Sequence, residues 1–289
     1  MKRILLVLLL MLGSNGHIYA QQTIGPETVS VQSDSFELKG LFWQPSGRGP
    51  FPAIIFCHGS YESSDTRYDL VQQMSLLGQL FVEHGFIFFG LCRRGAGLSK
   101  KQGENSADIL TKVFKEKGQE ERNKVQIQKL QGDDLQDMLS GLAFLRRRKE
   151  TDSNHIAVLG HSFGGSLALL VAEHEPDLKA VVIFAAGGYS WNLSPQLRTR
   201  LFKAVKKINV PTMIVHAQND YSLSPGFALD SVMNLLNKPH KLKIYRSFGS
   251  SPTEGHNILF LSTATWLADV LRFLHEAFND KVNTDIICC

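Results

Sequence analysis

The chain has 289 residues, enough for one large domain with a sizeable core, and its composition is that of an ordinary globular protein. Its formal charge of +4 is too mild and too scattered to be the electrostatic footprint of a nucleic-acid partner. No Cys-x-x-Cys and no Cys/His cluster with metal spacing occurs, so neither a metal nor another cofactor is implied.

Residues 1–20 read as a separate object. Lys2-Arg3 is a basic start, Ile4 to Leu12 a short apolar run, and Gly13 to Ala20 a polar stretch ending in a small residue. That is the pattern of a secretory signal, too short to remain as a membrane span. Cleavage after Ala20 would leave Gln21 first and a net charge of +2, with no stable membrane span; retention as an anchor is the alternative. The mature protein is therefore expected to be secreted or periplasmic. In that oxidising setting Cys57 and Cys92, which end two apolar strands, are expected as buried free thiols, with a disulfide between them as the alternative. Cys288 and Cys289 stand at the C-terminus, disordered or paired with another chain. The sequence sets no oligomeric state.

From residue 21 to 289 the chain reads as a single α/β domain. Residues 27–33 and 36–43 alternate around the Asp34-Ser35 turn and predict an N-terminal antiparallel hairpin. Residues 51–57 and 86–91 are fully apolar strands, separated by a helix over 68–84 with apolar residues at helical spacing. Residues 100–128 break the rhythm. They are polar and charged, with one small apolar cluster at Ile109, Leu110, Val113 and Phe114. They form either a solvated insertion at a loop or a partial flap over a site at the sheet's C-terminal edge. Then come a helix at about 129–148, a strand at 156–159, a helix at 163–174 and a strand at 180–184. A short helix within 195–207, a strand at 212–216, a helix at about 225–237, a strand at 241–245 and a helix at about 262–278 follow. Continuous apolar strands alternating with helices predict a mostly parallel sheet covered on both faces. Arg146-Arg147-Arg148-Lys149 reads as the solvated last turn of a helix, with an anion-binding patch as the alternative.

The chemistry centres on Gly160-His161-Ser162-Phe163-Gly164. A buried strand precedes it and an apolar helix follows, the context a nucleophile elbow requires. Serine is a poor nucleophile without a base, and the base needs an orienting group. Asp220 lies just past the strand ending at His216, and His256 lies in the loop after the strand ending at Tyr245, so the chain order is Ser, Asp, His. Asp230, inside a helix, and Glu254, near His256, are the weaker acids. An oxyanion would be held by the Phe163 amide and by the Ser60 amide after the first parallel strand, with Tyr61 as alternative through its amide or phenol. His161 and His58 are read as packing or structural residues, and His216 as core. Tyr189 and Trp191 either line a pocket or pack the short helix. The short span from Phe184 to Thr212 leaves no room for a large cap.

With these residues the chain from about 27 to 278 resembles the α/β-hydrolase superfamily. It looks most like the dienelactone hydrolase and prolyl-oligopeptidase-like serine esterase branch. The likeness rests on His58-Gly59, Arg94-Gly95-Ala96-Gly97-Leu98-Ser99, the Ser162 elbow, Asp220 and His256. Two departures matter. Dienelactone hydrolases proper carry Cys where Ser162 stands, and the His-Gly-Gly-Gly loop of lipase-like esterases is absent. No propeller precedes the hydrolase segment, unlike a full prolyl oligopeptidase. The resemblance implies an α/β-hydrolase fold and a serine hydrolase acting on a small-molecule carboxylic ester or thioester through an acyl-enzyme. A peptidase of the same fold and a non-catalytic binding protein are the alternatives.

Overall fold

The computed structural model describes residues 25–278. The signal at 1–20 and the Cys288-Cys289 pair lie outside the described residues.

β1 (Glu27–Ser33) and β2 (Phe36–Trp43) form the antiparallel hairpin, and β2 pairs antiparallel with β4 (Ile87–Leu91). From there every pairing is parallel, through β3 (Phe51–Cys57), β5 (Thr151–His161), β6 (Ala180–Phe184), β7 (Thr212–Ala217) and β8 (His240–Tyr245). The sheet has eight strands in the order β1-β2-β4-β3-β5-β6-β7-β8. This is the mostly parallel, helix-covered sheet that the apolar runs predict, in keeping with the fold that the resemblance implies.

Strand periodicity of two divides the core. In β3, Ala53, Ile55 and Cys57 enter one cluster while Ile54 and Phe56 enter the other. The first cluster is closed by α3 (Asp133–Arg147), α4 (Phe163–His174), α6 (Pro195–Lys207) and α7 (Ser224–Leu235). The second is closed by α1 (Leu70–Glu83), α9 (Ile258–Leu261) and α10 (Thr263–Ala277). Two single-turn helices, α5 (Gly188–Trp191) and α8 (Pro252–His256), lie in the loops at the sheet's C-terminal edge.

Residues 100–128 are not a loop. Most of them belong to α2 (Ser106–Gln131), capped by Asn105 and broken at Gly118, where φ is +79°. The periodicity was hidden because much of the buried face of α2 is polar: Ser106, Asn123 and Gln126 are buried beside Leu110 and Leu130. The helix read at 129–148 accordingly starts at Asp133, its first residues being the end of α2. β5 is also longer than its apolar stretch, because Thr151 pairs with Phe51 across a bulge.

Cys57 and Cys92 are buried free thiols, raised by burial to about 12 and about 11. In the basic run at 146–149, Arg147 and Lys149 are exposed at the end of α3 while Arg146 and Arg148 form ion pairs. Arg146 reaches Glu175 at 2.6 Å, and Arg148 reaches Glu27 at 2.8 Å while lying over the Phe42 ring.

Consecutive arginines after β4 bind this architecture together. Arg94 pairs with the fully buried Asp137 of α3 at 2.6 Å, and Asp137 also accepts from the Ser33 hydroxyl and the Arg94 amide. Cutting one member of such a network leaves an uncompensated buried charge. Asp137→Ala should lower unfolding free energy by about 3–5 kcal/mol. In guanidinium titrations it should appear as a lower midpoint at an unchanged slope.

Candidate active site

The elbow is a set of close backbone approaches. Ser162 sits at φ +56°, the left-handed region that side chains avoid, so the turn stores strain that its surroundings must hold. Its amide donates to the Phe184 carbonyl at 2.8 Å, tying the turn to β6. A Cβ on Gly160 would lie 2.3 Å from the Gly164 carbonyl oxygen, and one on Gly164 would lie 1.9 Å from the Cys57 carbonyl oxygen. Only glycine allows α4 to start pressed against the end of β3.

The Ser162 Oγ lies 2.9 Å from His256 Nε2, and His256 Nδ1 lies 2.7 Å from Asp220 Oδ1. The structure thus brings together the three residues that the sequence places at the ends of separate strands. The competing acids are occupied elsewhere. Asp230 accepts from His240 Nε2 at 3.1 Å, and Glu254 forms a capping box with Ser251.

Asp220 has a second histidine partner. Its Oδ2 accepts from His216 Nδ1 at 2.7 Å, while its Oδ1 also accepts from the Tyr221 amide. His216 is buried, so the reading of it as core is right about burial and incomplete about chemistry. A histidine at a strand end, four residues before an acid, is the signal that could have revealed it. Burial alone would raise the Asp220 carboxyl. The hydrogen bonds from His216 and His256 outweigh it and hold the group well below the usual carboxylate range.

Two contacts to His256 and one brace of the loop before it fix its position. Its carbonyl accepts from His161 Nε2 at 2.9 Å. Desolvation first, and the neighbouring His256 second, lower the His161 imidazole to about 3, so it stays neutral. The Asn219 side chain bridges the loop before α8, donating to the Phe248 and Ser251 carbonyls. The Tyr221 ring lies 4.7 Å from the His256 ring, and its hydroxyl is 2.7 Å from Thr253 Oγ1.

The loop after β3 is organised from below. His58 Nδ1 donates to the Gly59 carbonyl, and its Nε2 accepts from the Arg93 amide. Burial lowers this imidazole well below its ordinary value, as suits a structural residue. Arg93, which the sequence reading passes over, donates to the His58 and Gly59 carbonyls at 2.8 and 3.2 Å and pairs with Asp134 at 3.0 Å. Its guanidinium also lies 5.3 Å from the centre of the Phe163 ring. One buried cation therefore touches both segments that carry the oxyanion-binding candidates. Ser60, Tyr61 and Phe163 line the same cleft as Ser162 and His256. The Tyr61 ring stacks on Tyr68, and its hydroxyl is 3.1 Å from where a Gly59 side chain would begin.

The cleft has a volume of about 310 Å³. Tyr189 lines it, whereas Trp191 is buried against Phe202. The two aromatics after β6 thus take different roles. α2 forms one wall of the cleft through Leu110, Thr111, Arg122 and Gln126. Among the described residues there is no His/Cys/Asp/Glu group that could hold a metal, and no helix long and apolar enough to cross a membrane.

This geometry is a hydroxyl in line with a base and a buried, ionised acid, in a cleft that Ser60, Tyr61 and Phe163 also line. A nucleophilic displacement at a carbonyl carbon needs those parts.

Comparison with known proteins agrees with the fold. The model of the dienelactone hydrolase family matches residues 39–256. An uncharacterized peptidase of Bacillus subtilis (strain 168) is 21% identical over 247 residues, covering 76% of this chain and 84% of the relative. Cutinase est2 of Thermobifida alba is 28% identical over 144 residues, 49% of this chain and 42% of the cutinase. The solved acylaminoacyl peptidase of Pyrococcus horikoshii superposes with a TM-score of 0.62 at 18% identity. That match covers 92% of this chain and 44% of the peptidase, so this chain spans less than half of that protein.

The lowered Asp220 has a consequence for stability. A carboxyl depressed in the folded state contributes stability that is fully present above its unfolded value, near pH 4, and is lost as pH falls below it. Unfolding free energy should therefore drop as pH is lowered from about 4 toward 3, and drop less steeply in Asp220→Asn. Equal slopes in the two proteins would contradict the depressed carboxyl.

Proposed function

The chain belongs to the dienelactone hydrolase family, and from that premise we propose that it is a serine esterase working through an acyl-enzyme on a carboxylic ester or thioester. The observation that carries this reading is the unbroken hydrogen-bonded line from Ser162 Oγ through His256 to Asp220.

In this reading Ser162 Oγ attacks the substrate carbonyl carbon while its proton passes to His256 Nε2. The carbonyl π electrons move onto oxygen, and the resulting oxyanion is held by the Phe163 amide and the Ser60 amide, with Tyr61 as the alternative donor. Collapse breaks the bond to the leaving alcohol or thiol, which takes its proton from His256. Water then attacks the acyl-Ser162 ester, giving its proton to His256, and a second collapse returns the proton to Ser162 and releases the acid. Throughout, Asp220 holds Nδ1–H of His256 and balances the imidazolium charge. His216, donating to the other carboxylate oxygen, keeps Oδ1 aimed at His256.

The ester substrate is favoured by the cutinase relatives. Amide cleavage is the second reading, favoured by the Bacillus relative named as a peptidase, which this chain covers over 84% of its length. We read residues 1–20 as an export signal, placing the reaction in a secreted or periplasmic setting.

A fluorophosphonate probe should label wild-type protein, and the label should vanish in Ser162→Ala. That variant should lose roughly 10⁵–10⁶-fold in kcat on a short p-nitrophenyl ester, and Asp220→Asn roughly 10⁴-fold. Absent labelling, or labelling that persists in Ser162→Ala, overturns the serine mechanism. Turnover of the matched p-nitroanilide but not the ester would favour the peptidase.

A further inference from the structure

The cleft contains neutral polar groups that the proposed esterase mechanism does not use. Ser166 lies one turn into α4 from the nucleophile, and Gln126 lies on α2; both line the cleft. They are almost wholly buried, at 1% and 3% exposure. The Ser166 Oγ and the Gln126 Oε1 nonetheless have no hydrogen-bond partner among the described residues. They share the cleft with the buried Leu110, Phe163 and Leu197, which offer no polar side-chain atom.

Neither atom belongs to a loose side chain. A serine inside a helix can donate back to the carbonyl four residues earlier, as Ser75 does to Val71 at 2.8 Å. For Ser166 that carbonyl is the nucleophile's own, and the hydroxyl makes no such bond. Gln126 is held by its other end, since Nε2 donates to the Ser190 hydroxyl at 3.1 Å and leaves Oε1 free. The turn of α2 before it is anchored by Asn123, which donates to the Leu193 carbonyl at 2.7 Å. The position of the pair is informative. Phe163 of α4 and Leu130, just beyond Gln126 in α2, pack in the first core cluster, whereas Ile258 and Leu259, which follow His256, pack in the second. The cleft therefore crosses the sheet's edge from the His256 side to the Ser166 and Gln126 side. The leaving group takes its proton from His256 Nε2 and so lies on the first of these sides. The acyl group is left with the second.

A plain alkyl chain seated there displaces solvent and leaves both atoms bare, which is costly for buried polar groups. A hydroxyl on the acyl chain donates to Gln126 Oε1 and accepts from the Ser166 O–H. It also fits if the amide is turned, because it then accepts from Nε2 while Ser190 donates to Oε1. We propose that Ser166 and Gln126 select an acyl group that carries a hydroxyl, so that the substrate is the ester of a hydroxy acid. This deepens the esterase reading and rests on it for the identity of the cleft. The selection is by penalty: a site with polar atoms to satisfy discriminates against the chain that cannot satisfy them.

The test compares kcat/KM for p-nitrophenyl hexanoate with that for its 2-, 3- and 6-hydroxy derivatives, each divided by its own rate of hydrolysis by hydroxide. The division removes the intrinsic reactivity of the esters. Wild-type protein should favour at least one hydroxy ester about 10- to 100-fold, the penalty for leaving buried polar groups unpaired under the alkyl chain. Ser166→Ala and Gln126→Leu should each lower that preference about 10-fold, and a fall in either variant supports the assignment. Two results overturn it and leave the serine mechanism standing. One is wild-type protein that shows no preference. The other is a preference that neither variant lowers, in protein whose Ser162 still takes the fluorophosphonate. Wild-type protein that does not take the fluorophosphonate overturns the esterase reading, and this assignment with it.

Discussion

The approach of α4 to the end of β3 is the constraint on which the site depends. The space between Gly164 and the Cys57 and His58 carbonyls is smaller than a methyl group, since a Cβ there would sit 1.9 and 2.4 Å from the two oxygens. That contact forces Ser162 into its left-handed turn and points the hydroxyl out of the sheet. It also sets the first amide of α4 next to the loop that follows β3. Helix starts leave their first amides without helical partners, so a donor is available there without disrupting secondary structure. Arg93 completes the arrangement from beneath, gripping the His58 and Gly59 carbonyls and lying against the Phe163 ring. Strain at the serine is thus held by packing on one side and a buried ion pair on the other.

The charge relations follow from burial. Asp220 is out of water, yet two imidazoles and a backbone amide satisfy its oxygens, so it stays ionised. His161, equally buried beside His256, has no carboxylate and is neutral, and it serves the site by holding the His256 carbonyl. Four histidines near one serine therefore have distinct parts. His256 meets the hydroxyl, His216 braces the acid, His161 fixes the backbone of the base, and His58 shapes the loop. Local partners, and not residue type, separate them.

Most of this was legible in the sequence where a regular pattern carried it. The parallel strands are apolar runs because both faces are covered, and the order of Ser162, Asp220 and His256 follows from strand ends. What stayed hidden lacked periodicity. The inner face of α2 is largely Ser106, Asn123 and Gln126, and a polar buried face gives no apolar stripe to read. Arg93 looks like one of two basic residues after a strand until its neighbours in space are known. His216 reads as core because it is core. Tyr189 and Trp191, two residues apart in a short helix, face opposite ways, and only the packing of α6 decides which is buried.

The account stands on Ser162 forming a covalent bond to the acyl group. Rapid quenching of the protein with excess short-chain ester, followed by intact-mass and peptide mass spectrometry, measures this directly. The account predicts a transient mass increase equal to the acyl group, confined to the peptide that contains Ser162. Product release with no acylated protein at any time, or acylation at a different residue, would contradict it.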